Sequence, residues 1–142
     1  MQGGTAVARR ATRELAFRIV YQTDFGTEPD CNQEIEYFPK QVDAEYLSTL
    51  VDGVNAVKPA LDELIARYSR GWSSERLPRV DKAILRIGIF ELLRDTVPEA
   101  VAINEAVELA KAYGNDKSAG YINGLLETVR KNKETLAQEL EP

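Results

Sequence analysis

Apolar residues recur along this chain every three or four positions, and no stretch alternates with the period of two that a half-buried strand needs. Between residues 6 and 25, Ala11, Leu15 and Ile19 fall on one line, with Ala8, Ala16 and Val20 beside it. That spacing predicts a first helix, entered from a Gly3-Gly4 arm with Thr5 placed to cap it. From Gly26 to Lys40 the pattern lapses. Gly26, Pro29 and Pro39 break it, and Asp30, Asn32 and Glu34 keep it wet, so a connector is expected, pinned back by Ile35, Tyr37 and Phe38. Asp43 reads as the next N-cap, ahead of Tyr46, Leu47, Leu50, Val51 and Val54. Pro59 sits where a helix can begin without losing a hydrogen bond. Leu61, Leu64, Ile65 and Tyr68 give that helix its stripe, and Arg70-Gly71-Trp72-Ser73-Ser74 ends it.

Pro78 opens the most apolar segment. Val80, Ala83, Ile84, Leu85, Ile87, Ile89, Phe90, Leu92 and Leu93 surround most of its circumference, which predicts a central helix packed by several neighbours. Asp81, Arg86, Glu91 and Arg94 are then expected to share a narrow exposed strip. Asp95-Thr96-Val97-Pro98 breaks this helix. Ile103, Ala106, Val107 and Ala110 mark the next, with Asn104 read as a start residue, Glu105 as a first-turn acid and Gly114 as a left-handed stop. Asp116 or Ser118 caps the last long helix, striped by Tyr121, Ile122, Leu125, Leu126 and Val129. Gly124 suggests close packing against the central helix. Residues 133–142 are polar and expected to fray. The fold class is all-α: an N-terminal bundle of three helices over about 5–70 and a C-terminal bundle of three to four over about 76–132, packed as one domain.

Composition narrows the chemistry. The 142 residues include no histidine and one cysteine. There is no imidazole base, so Ser-His-Asp and Cys-His catalysis are excluded, and so are the common structural zinc sites. Cys31 has no intramolecular partner and reads as an incidental loop thiol that suits a reducing cytosol. No apolar run is long enough to cross a membrane, none at the N-terminus resembles a signal peptide, and no cofactor motif is present.

The net charge of −5 hides a partition. Residues 1–22 carry Arg9, Arg10, Arg13 and Arg18 against Glu14 alone, a net of +3. A second basic stretch, from Arg67 to Arg94, has a net of +4, while acid gathers in 24–63 and in the tail. Local basic patches on an acidic body can still hold a polyanion, although such clusters are also ordinary solvated helix faces.

Three segments resemble the NusB family of transcription antitermination proteins. The first is Arg9-Arg10-Ala11-Thr12-Arg13-Glu14-Leu15-Ala16, continuing to Tyr21. The second is Val80-Asp81-Lys82-Ala83-Ile84-Leu85-Arg86 with Glu91-Leu92. The third runs from Pro98 through Val101-Ala102-Ile103-Asn104-Glu105-Ala106-Val107-Glu108-Leu109-Ala110-Lys111 to Ser118 and Tyr121-Ile122-Asn123-Gly124. The 26–42 connector carries none of the match. The resemblance implies a two-bundle helical fold that binds boxA-type RNA of ribosomal RNA leaders. It acts with NusE, a small-subunit ribosomal protein, in an RNA polymerase antitermination complex, and without catalysis. It also implies a partner-binding surface at Asp81, Arg86, Phe90 and Glu91.

Residue chemistry fits that role. Arg9, Arg10 and Arg13 lie near a helix N-terminus, where the backbone also favours phosphate. Tyr113 and Tyr121 flank the loop Gly114-Asn115-Asp116-Lys117-Ser118. Unpaired bases stack on aromatic rings while loop donors read their edges. Tyr113 and Tyr121 are accordingly assigned as stacking platforms, Lys117 as a phosphate contact and Ser118 as a hydrogen-bonding residue, with Tyr21 lining the same groove. The alternative is that both tyrosines cap the core and that Tyr21 is half-buried. Two other readings stay open. The same module resembles the N-terminal part of ribosomal RNA cytosine methyltransferases, which need a following cofactor domain. A homo-oligomeric scaffold, dimeric through the Arg67–Arg94 region, is the other.

Overall fold

The computed structural model describes residues 6–69 and 77–140, and among them the periodicity becomes eight helices and no strand. They are α1 (Ala6–Thr23), α2 (Cys31–Tyr37), α3 (Ala44–Ala56), α4 (Lys58–Tyr68), α5 (Arg79–Arg94), α6 (Glu99–Tyr113), α7 (Ser118–Lys131) and α8 (Lys133–Glu139). The Gly3-Gly4-Thr5 arm and the Arg70–Ser74 stop fall outside the described residues.

Local chemistry sets the boundaries. The Asp43 carboxylate accepts from the Tyr46 amide at 3.1 Å and starts α3, satisfying one of the orphan donors of a helix N-terminus. Thr12, buried in α1, accepts from the Asp43 amide at 2.8 Å, which joins that cap to the first helix. Pro59 stands in the first turn of α4. α5 ends where Asp95 turns left-handed at φ 53°, a conformation that Asp tolerates better than most side chains.

α5 is the axle. It packs against α1, α3, α4, α6, α7 and α8, and one continuous apolar core runs from Leu15 to Leu140. Two glycines let core side chains of other helices approach closely. A Cβ at Gly53 would lie 2.2 Å from Phe90 Cζ, and one at Gly88 would lie 3.1 Å from a Leu126 methyl.

Several expectations are corrected. Cys31–Tyr37 forms a helix inside the connector, because Asp30 accepts from the Asn32 amide at 2.9 Å and caps it. The polar tail does not fray up to Leu140: Leu136 and Leu140 are buried and carry α8 onto α5. Gly114 ends α6 in an extended conformation rather than a left-handed one. Its smallness serves a close approach instead, since a Cβ there would meet the Ser118 side chain at 2.5 Å. Gly124 is exposed with nothing within 4 Å, so it packs against nothing. α6 starts at Glu99, which makes Glu99 the first-turn acid and places Asn104 and Glu105 well inside the helix.

Candidate nucleic-acid interface

α1 and α6 run alongside each other, and the arginines of α1 face them across a groove of 260 Å³. Arg10 lays its fork on Glu105, with Nε donating to Oε1 at 3.1 Å and Nη2 to Oε2 at 2.7 Å. About two turns further along both helices, Arg18 Nη2 donates to the Tyr113 hydroxyl at 3.1 Å. That hydroxyl donates in turn to Glu14. Lys40, which the connector swings over α1, donates to the other Glu14 oxygen at 2.7 Å. Burial alone would raise the Glu14 carboxyl; Lys40, Tyr113 and Arg18 outweigh it and hold the group below its ordinary value.

Arg9 and Arg10 are the accessible arginines at the head of this face. Arg9 stacks over the Tyr46 ring at 3.9 Å. Its Nε lies 3.6 Å from Asp43 Oδ2, near enough to share charge and too far for a hydrogen bond. Arg13 points inward and is 4% exposed. Its Nε donates to both Glu91 oxygens at 3.0 Å. Burial opposes the Arg13 charge, but Glu91, Tyr46 and Glu105 outweigh it and raise the guanidinium above its ordinary value. Tyr46 donates to the same Glu91 carboxylate, and burial and that carboxylate push its phenol up to about 12.

The groove's lining ends at Tyr113, the last residue of α6, and the loop to α7 follows it in the chain. Asn115, Asp116 and Lys117 are exposed, and Asn115 Oδ1 accepts from the Lys117 amide at 2.9 Å. Ser118 is buried. Its Oγ accepts from the Asn115 amide at 3.0 Å and donates to Asp81 Oδ1 at 2.8 Å. Burial raises the Asp81 carboxyl, only partly offset by Ser118. The Ser118 hydroxyl therefore shapes the loop from within. The α7 helix starts after Lys117 with no side-chain cap, so neither Asp116 nor Ser118 serves as one. Tyr113 and Tyr121 are both half-buried. The Tyr113 ring packs 4.8 Å from Phe17, and the Tyr121 hydroxyl shares a hydrogen bond with Ser69. Tyr21 is half-buried between Phe17 and Phe25, with ring centroids at 6.0 and 5.1 Å.

The strip expected on α5 is not exposed. Asp81, Arg86, Phe90 and Glu91 are all buried, and Arg94 alone of the four charged residues lies outside. The reason is packing: α5 has neighbours all round, so Arg86 and Glu91 find ion-pair partners inside the protein and Asp81 meets the Ser118 hydroxyl. Arg86, 2% exposed, donates to both Asp62 oxygens at 2.8 and 3.1 Å and to Asp24 Oδ1 at 2.8 Å. As side chains inside the protein, these four cannot present a docking surface in this conformation.

Glu14, Arg18, Lys40 and Glu105 belong to the face but were not singled out in the sequence as site residues. The Glu14–Arg18 spacing of four was a legible pair, whereas nothing marked Lys40 or the Arg10–Glu105 contact. A second, larger cavity of 650 Å³ opens where α7 meets α8, lined by Asp95, Glu99, Arg130 and Lys133. Lys133 bridges its two acids, 3.0 Å from Glu99 and in contact with Asp95. Among the described residues no group of acids and Cys31 could hold a metal ion, and no helix is long and apolar enough to cross a membrane.

An arginine-headed helix, a flanking tyrosine and a polar loop can hold the backbone of a polyanion and stack its bases. Known proteins carry the same arrangement of helices. The chain is 42% identical over 144 aligned positions to the transcription antitermination protein NusB of Ruminiclostridium cellulolyticum, covering 95% of this chain and 99% of the relative. It is 40% identical to the NusB protein of Bdellovibrio bacteriovorus, covering 87% and 96%. Among solved structures, T. maritima NusB superposes with a TM-score of 0.75 at 32% identity, over 86% of this chain and 89% of that one. A structure of the antitermination factors NusB and NusE in complex with dsRNA superposes with a TM-score of 0.79 at 25% identity, over 90% and 99%. The NusB family model matches residues 10–131, from the groove arginine Arg10 to the last residue of α7, and the chain belongs to the NusB family.

Proposed function

We propose that this protein is an RNA-binding antitermination factor. It binds boxA-type RNA of ribosomal RNA leaders together with NusE, and the pair modifies elongation by RNA polymerase. The observation that carries the reading is the groove between α1 and α6 from Arg10 to Tyr113, with Arg9 beside Arg10 at one end and the 114–118 loop following Tyr113 at the other, in a chain of this family. A family relative solved with NusE and dsRNA supports the same partners. The protein acts as a binding module.

The geometry divides the labour. Arg9, Arg10 and Lys117 are the cations that meet phosphates, Arg10 by exchanging its Glu105 partner for one, since arginine forks match phosphate oxygens and lysine serves as a point charge. Tyr113 and Tyr121 offer the exposed parts of their rings to bases. Arg13 and Ser118 act from below: one holds α1 to Glu91, the other holds the loop to Asp81. Tyr21 supports the α1 surface through its ring contacts. Asp81, Arg86, Phe90 and Glu91 serve a protein partner through the surface they hold in place.

Fluorescence anisotropy of a labelled single-stranded boxA RNA, titrated with and without NusE, tests the reading. Binding is expected to be tighter than to a scrambled sequence and to weaken as salt rises, because each phosphate contact releases condensed counterions. Equal affinity for the two sequences with NusE present would contradict it.

A further inference from the structure

The cations that line the α1–α6 groove are already occupied. Arg10 is 62% exposed, so packing does little to hold it, yet both its Nε and its Nη2 are taken by Glu105. Those are the two donors, in the same fork geometry, that a phosphate would use. Glu105 is only 12% exposed and projects from the middle of α6, where it caps nothing. It also lies 3.7 Å from Arg13 Nη1.

On the RNA-binding reading above, we propose that Glu105 is an affinity-setting residue of the groove. Its carboxylate stands in for an RNA phosphate on Arg10 in the free protein and gives way to a phosphate on binding. Released from Arg10, Glu105 remains beside Arg13, whose own hydrogen bonds to Glu91 stay in place. Because the carboxylate is tethered, it competes at the high effective concentration of an intramolecular ligand. Every phosphate polyanion meets that competition. It also changes the salt dependence. A phosphate that binds Arg10 releases a counterion, but the freed Glu105 recaptures part of one, so wild-type protein shows a shallower slope than its exposed arginines alone would give.

The test is Glu105→Gln, which keeps the shape and removes the charge. Its affinity is read by anisotropy on boxA-type and scrambled single-stranded RNA, and by competition with inorganic polyphosphate, at several salt concentrations. Glu105→Gln is expected to bind all three about two- to fivefold more tightly, the range set by an exposed ion pair. The salt slope is expected to steepen by up to about one unit. The gain should vanish in an Arg10→Gln background. Weaker or unchanged binding by a Glu105→Gln protein that melts like wild type would overturn the proposal and make Glu105 a residue that merely positions Arg10. A gain that persists without Arg10 would overturn it too. If Glu105→Gln does not fold, Glu105→Asp withdraws the carboxylate by one methylene and should shift binding the same way, and no shift there counts against the proposal. Wild-type protein without boxA preference, alongside a Glu105→Gln gain on polyphosphate, would sink the RNA reading and leave the exchange standing.

Discussion

Arg13 and Ser118 look like RNA contacts in the sequence because both are polar and flank the right segments. Their side chains instead run inward, to Glu91 and to Asp81. One-dimensional spacing locates a residue on a helix, but it does not reveal a buried partner nearly eighty residues away. Tyr121 is the residue where the two competing readings can be separated. It is half-buried against the core, and its hydroxyl is shared with Ser69. Tyr121→Phe should retain RNA affinity and lower stability by about 1 kcal/mol, the ordinary net value of such a hydrogen bond. Tyr121→Ala should cost about 1–3 kcal/mol of RNA affinity if a base stacks there. Parallel thermal melts and RNA titrations of the two variants check this. A still-folded Tyr121→Ala protein with wild-type affinity would return Tyr121 to the core.

At the scale of the element, the helices were legible wherever one apolar stripe had a visible start. Asp43, Pro59 and Pro78 supplied starts, and α3, α4 and α5 follow them. α2 and α8 were not legible, since each is only 7 residues long and is held by tertiary contacts more than by its own pattern. The all-round apolarity of α5 correctly implied a central helix, and the same centrality explains why its charges are buried. Glycines were harder to read, because a sequence does not show what faces them. Gly53→Ala would drive a methyl into the Phe90 ring and should destabilise the protein by about 1–3 kcal/mol. Gly124→Ala adds a methyl into open space on α7 and should stabilise it by up to about 1 kcal/mol. Chemical denaturation of both variants gives the comparison, and equal effects at the two positions would contradict the packing described for α3 against α5.

For the molecule as a whole, the net charge of −5 conceals a basic first segment, and the folded body supplies its arginines with counter-charges. The ion-pair networks set the response to acid. Burial would raise Asp24, but Arg86 and Lys58 outweigh it and hold it below its ordinary 3.8, as Glu14 is held below 4.5. A carboxyl lowered by folding adds stability that is complete above its unfolded value and is lost as pH falls through its folded one. Asp81 is raised, so its ionised form opposes folding at neutral pH and protonation relieves that cost. With no histidine to titrate, the melting temperature should stay nearly flat from about pH 7 to pH 5 and fall below about pH 4. A marked loss between pH 7 and pH 6 would contradict this balance. The central claim is that RNA lies along α1 and α6 and reaches the 114–118 loop. Amide chemical-shift mapping on addition of single-stranded boxA RNA tests it directly. The largest shifts should fall in residues 8–18 and 105–121, with α8 unmoved, whereas shifts centred on the cavity between α7 and α8, or none at saturating RNA, would contradict it.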